Sequence, residues 1–66
     1  YIGAILHLTK ALETSTNNSQ KRDIYYNRAV AFIELNDIPK AKQDLQNAIN
    51  LGDTESQKLL DEIIDR

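Results

Sequence analysis

The helix pattern of this chain repeats. Ala4, Leu8, Ala11 and Leu12 recur as Ala41, Leu45, Ala48 and Ile49, an offset of 37. Tyr25-Tyr26 and Ala29-Val30 recur more loosely as Leu59-Leu60 and Ile63-Ile64, an offset of 34. Both sets keep the spacing of one helix face, apolar every third or fourth residue. Two unlike helices recurring about every 34 residues make a helix pair the unit of the fold. The excess of three residues (37 against 34) falls in the first connecting loop. Such a pair cannot bury its apolar faces alone, so it stacks on neighbours.

Four helices follow from this spacing. The first covers about Ile2 to Glu13, with Tyr1, Ala4, Ile5, Leu8, Ala11 and Leu12 on one stripe. Thr14-Ser15-Thr16-Asn17-Asn18-Ser19 is wholly polar and reads as a loop, because these side chains compete for backbone hydrogen bonds. The second helix covers about Lys21 to Leu35, closed by Asn36-Asp37. The third covers about Ile38 to Leu51. Asp37 is expected to cap it, Pro39 suits its first turn and Gly52 its left-handed end. The fourth opens at Asp53 or Thr54, with Thr54-x-x-Gln57 as a capping box. Leu59, Leu60, Ile63 and Ile64 form its apolar side; Asp61, Glu62 and Asp65 form its acidic side.

With 66 residues there is one domain at most, and a chain of this size buries only about 60% of its unfolded surface. It has no cysteine and one histidine, so neither disulfides nor a thiolate metal site supply stability. The net charge of −2 argues against nucleic acid. No apolar run approaches the roughly 20 residues of a membrane span. Tyr1 is not a natural start, so the chain reads as part of something longer, and the cytoplasm is the default expectation for its compartment.

A helix–turn–helix unit of this length resembles the tetratricopeptide repeat (TPR). That family's pattern is W-x2-L-G-x2-Y, then A-x3-F, then P. Tyr25 stands at the Trp position, Arg28 at Leu, Ala29 at Gly and Phe32 at Tyr. Ala41 matches the Ala, Leu45 stands for Phe and Asp53 for Pro. Arg28, Asp53 and the longer first loop depart from the pattern. The resemblance implies an all-α fold of four helices, a short right-handed solenoid of antiparallel helix pairs. Residues 1–14 are then the second helix of a preceding repeat, 21–52 a complete repeat, and 53–66 a C-terminal capping helix.

The resemblance also implies a function. In TPR stacks the first helix of each pair lines a concave groove that holds a peptide or a partner helix. The second helix here is apolar on several flanks, with Ile24, Ala31 and Leu35 on one and Tyr26 and Ile33 on another. Its polar stripe is Asp23, Asn27 and Glu34, with Val30 beside it. The expected groove is therefore Asp23, Tyr26, Asn27, Val30 and Glu34, with Lys58 from the fourth helix. The Asn27 amide both donates to and accepts from a peptide backbone. Some relatives clamp the acidic tails of chaperones with an Asn at this position and a Lys–Arg pair on the next inner helix. Lys58 stands near the Lys position, but Glu62 occupies the Arg position and would repel a carboxylate.

The first helix carries Ile2 and Leu6 off its main stripe, where the third has Pro39 and Gln43. These two are expected to seek a partner, either a preceding helix or a second copy of the chain. Catalysis is not expected, nor any cofactor or metal. His7 aligns with Asp44, so both read as solvated positions. Asp61 and Glu62 are adjacent on a helix and point about 100° apart. No phosphate loop, H-E-x-x-H or nucleophile elbow is present. The expected role is a non-catalytic protein- or peptide-binding scaffold. The alternatives are an oligomerisation or docking element acting through the first helix, or a regulatory appendage of a larger enzyme.

Overall fold

In the computed structural model, which describes residues 2–65, four helices follow one another: α1 (Ile2–Thr14), α2 (Asn18–Glu34), α3 (Ile38–Asn50) and α4 (Thr54–Ile63). There is no strand among the described residues. Tyr1 and Arg66, placed by the sequence reading in the first stripe and the last segment, lie outside them. Each helix packs on the next, and the α2–α3 contact is the largest. Connections of only three residues (15–17, 35–37 and 51–53) force each pair into an antiparallel hairpin.

Two of these turns share one design. Asn36 has φ 60° and Gly52 has φ 94°, both in the left-handed region. Around Asn36, its own N–H donates to the Ile33 carbonyl at 2.9 Å and the Asp37 N–H to Phe32 at 2.8 Å. Around Gly52, its N–H donates to Ile49 at 2.8 Å and the Asp53 N–H to Ala48 at 3.0 Å. This is the Schellman arrangement, which satisfies the last carbonyls of a helix. Glycine and asparagine are the residues that enter that region most cheaply.

The helix starts differ from expectation in three places. Helix α2 begins at Asn18 rather than Lys21, because Asn17 is its cap: the Asn17 Oδ1 accepts from the Ser19 N–H at 2.7 Å and the Gln20 N–H at 3.3 Å. The loop shrinks accordingly to 15–17. Asp37 precedes α3 but makes no side-chain cap bond. Its N–H is tied back to Phe32, and its ψ of 72° falls short of the extended 127° at Asn17. The capping box does not form, since Asp53 rather than Thr54 precedes α4. The Asp53 carboxylate accepts from the Ser56 hydroxyl, and Gln57 instead donates to Asp61 at 3.0 Å.

The core is a cluster of Ala29, Ile38, Ala41, Leu45 and Ile63, drawn from α2, α3 and α4. Tyr26, Phe32, Ile33, Leu59 and Leu60 pack around it, half-buried. Ala29 and Ala41 are fully buried, and their small side chains let α2 and α3 approach closely, while Leu45 fills the space between. Burying one such leucine contributes about 1.5–3 kcal/mol. The accessible surface of 4338 Å² is close to the roughly 4,200 Å² of a compact monomer of this mass. The molecule is a slab of 32 × 26 × 13 Å, so few side chains escape water. Ile64, expected on the apolar side of α4, is 55% exposed just beyond the helix.

One ionic group lies inside this packing. Asp44 is buried, not solvated as its alignment with His7 suggests. Arg28 of α2 donates to it twice, from Nε to Oδ2 at 2.8 Å and from Nη2 to Oδ1 at 2.6 Å. A third bond runs from Arg28 Nη1 to Thr9 Oγ1 of α1 at 3.1 Å, so one guanidinium joins three helices. Its charged form is favoured above the ordinary arginine range, first by the Asp44 hydrogen bonds, against burial. His7, in contrast, is exposed on α1. The alignment carries the position but not the neighbour: α3 is covered by α2 at Asp44, whereas no described helix covers α1 at His7.

Candidate binding cleft

Helix α2 runs away from the α1–α2 turn, and α3 returns antiparallel to it. Both the 15–17 and the 51–53 connections therefore sit at the N-terminal end of α2. That end is where the surface is concave. Asp23, Tyr26 and Asn27 of α2 face Asp53 and Glu55 across a cleft of about 300 Å³. Tyr26 is half-buried with its ring against the core, while Asp23, Asn27 and Glu55 are exposed.

Three of the six residues expected to line a groove are thus brought together. Val30 and Glu34 lie outside the cleft, about 10 and 16 Å further along the helix from Asp23 at 1.5 Å per residue. Lys58 is exposed on α4 and reaches Glu55 at 3.9 Å. Asp53 and Glu55 are the lining residues that helical spacing along α2 could not supply. The antiparallel return of α3, readable from the short connections, is the signal that places them.

The cleft is acidic. Three carboxylates line it, from Asp23, Asp53 and Glu55, and among the described residues no cation does. The nearest bases are loosely held: Arg22 stands 3.9 Å from Asp23, as Lys58 does from Glu55. Exposed pairs at that distance contribute little and leave the carboxylates open to other partners.

Asp23 also belongs to a second cleft of about 400 Å³, lined by Ala11, Thr14 and Ser15 on one side and Gln20, Asp23 and Ile24 on the other. It is the more apolar of the two, with Ala11 and Ile24 half-buried. The two concavities therefore meet at Asp23. Ile2 and Leu6, on the outer face of α1, are each 68% exposed. Among the described residues no group of three His, Cys, Asp or Glu side chains is placed to hold a metal ion. No helix of the described residues is long and apolar enough to cross a membrane.

Compared with known proteins, the chain matches no family model, no curated protein and no solved structure.

Proposed function

We propose that this chain is a TPR-type protein-interaction module, non-catalytic, that holds a basic segment of a partner at the N-terminal end of α2. The observation that carries this reading is the cleft in which Asp23, Tyr26 and Asn27 meet Asp53 and Glu55. The carboxylates favour a lysine or arginine side chain. The Tyr26 ring offers its stem an apolar surface, and the Asn27 amide reads a peptide backbone in either direction. The TPR assignment is supported by the recurring helix pair, by hairpins between successive helices and by the two matching turns at Asn36 and Gly52. The same charge pattern opposes an acidic-tail clamp, since Glu62 is exposed on α4 where such a clamp needs an arginine.

The test is a titration of labelled peptides rich in Lys and Arg, with Glu-rich peptides as the opposite arm. Basic peptides are expected to bind, more weakly as salt rises. Asp23→Ala with Asp53→Ala is expected to weaken them about tenfold, roughly 1.4 kcal/mol. Preference for the acidic peptides, or indifference to peptide charge, would overturn the reading. A second reading, association through α1, is favoured by the exposure of Ile2 and Leu6.

A further inference from the structure

Helix α1 is attached differently from the other three. None of its described residues is buried, and Ile5, Leu8, Ala11 and Leu12 are only half-buried. The core cluster draws every member from α2, α3 and α4. At the turn end of the α1–α2 interface, between Ala11, Thr14 and Ser15 and Gln20, Asp23 and Ile24, there is an open cleft of about 400 Å³. A polar bond, Arg28 Nη1 to Thr9 Oγ1 at 3.1 Å, spans the same interface.

The remaining helices do not depend on α1 for their polar satisfaction. Asn17 caps α2 from within the connection, through the Ser19 and Gln20 N–H groups. Arg28 keeps both of its bonds to Asp44 if Thr9 leaves, so no buried charge is stranded. Departure of α1 removes partial apolar burial and one hydrogen bond whose two ends can rehydrate. That is the profile of an element that opens well before the rest of a fold.

We propose that α1 is a hinged arm. It swings as one helix about residues 15–17 and opens and closes the cleft between Ala11, Thr14 and Ser15 and Gln20, Asp23 and Ile24, while α2–α4 stay folded. Because Asp23 lines both clefts, the arm sets whether the surface at the N-terminal end of α2 is one continuous trough or an acidic cleft beside a bare helix flank. The Thr9–Arg28 bond is its latch. The opening is independent of what, if anything, the acidic cleft binds.

Hydrogen exchange on the whole chain, resolved by residue, tests this. Off α2, a helix of 13 residues is only marginally formed in water, so the amides of Leu8–Thr14 are expected to exchange at least about tenfold faster than those of Ala29–Ile33 and Ala41–Ala48. Thr9→Val is expected to speed α1 a further few-fold and leave α2 and α3 unchanged. A cleft-filling variant, Ala11→Leu, is expected to slow exchange in α1 alone. Equal protection in α1 and α3, or a response to Thr9→Val shared by all four helices, would mean one cooperative unit and would overturn the proposal.

Discussion

Arg28 is a cation on the packed side of a helix, its side chain 18% exposed, facing a carboxylate that is 4% exposed. Removing either partner strands the other: leaving a buried charge uncompensated costs about 3–5 kcal/mol. A folded chain of this length is stable by roughly 3–10 kcal/mol, so Asp44→Ala is expected to unfold much of the population. Arg28→Leu, which places an apolar residue on this packed face, is also expected to destabilise, because Asp44 then has no partner. The double variant Arg28→Leu with Asp44→Leu is expected to recover full stability or exceed it, since well-packed apolar replacements of buried pairs are neutral or stabilising. Urea midpoints of the two single variants and the double variant decide it. Single variants within 1 kcal/mol of the parent would refute a structural role for the pair. The Arg28 side of the pair is not a pH switch. Its folded-state pKa is raised, first by the bonds to Asp44, so its contribution is complete at neutral pH and is lost on the alkaline side only as the pH climbs through that raised value.

The element boundaries rest on a few side chains whose removal has calculable cost. Asn17→Ala removes two cap bonds and is expected to cost about 1 kcal/mol. Gly52→Ala is expected to cost about as much through backbone conformation alone: φ is 94°, and an added Cβ meets nothing within 4 Å. Asp37→Ala, which removes no side-chain cap bond, is expected to stay within about 0.5 kcal/mol. In a domain of this size 1 kcal/mol shifts Tm by about 4–8 °C, so thermal melts separate Asp37→Ala from the other two. A large loss at Asp37 would show that the cap assignments are wrong. These positions also mark where the sequence is readable and where it is not. Helix number, order and the α3 core stripe follow from apolar spacing, and Gly52 and Pro39 fix the ends of α3. The start of α2 does not follow, because its first turn (Asn18, Ser19, Gln20) is as polar as the loop before it and carries no apolar mark. Arg28 is legible as a departure from a pattern, whereas Asp44, aligned with His7, reads as an ordinary solvated position and is in fact buried. What spacing along single helices lacks is the pairing between them. An arginine on a packed face demands a buried acid, and that demand points to Asp44. The cleft was half legible for the same reason: Asp23, Tyr26 and Asn27 share one helix, while Asp53 and Glu55 arrive from another.

The two ends of the molecule differ in kind. At one end α1 shows Ile2 and Leu6 to water, each 68% exposed. At the other, α4 shows Asp61 and Glu62, with exposed Ile64 and Asp65 just beyond it, so the end is mainly but not wholly acidic. Desolvating carboxylates against isoleucine and leucine is unfavourable, so head-to-tail stacking of copies through these faces is disfavoured. Any packing of a further element is expected on the α1 side, where Ile2 and Leu6 are exposed. If a second copy covers that face, the weight-average mass in sedimentation equilibrium is expected to rise with concentration. Leu6→Glu is then expected to hold the mass at the monomer value. At so exposed a position the variant is expected to leave thermal stability within about 0.5 kcal/mol of the parent. It is also expected to leave basic-peptide binding intact, because Leu6 lies outside both clefts. A parent chain that stays monomeric at every concentration would remove the second copy as the occupant. The face would then be left to a helix from elsewhere in a longer chain or from another protein. Loss of peptide binding in Leu6→Glu would mean that α1 contributes to the binding surface itself and that the two roles are not separable.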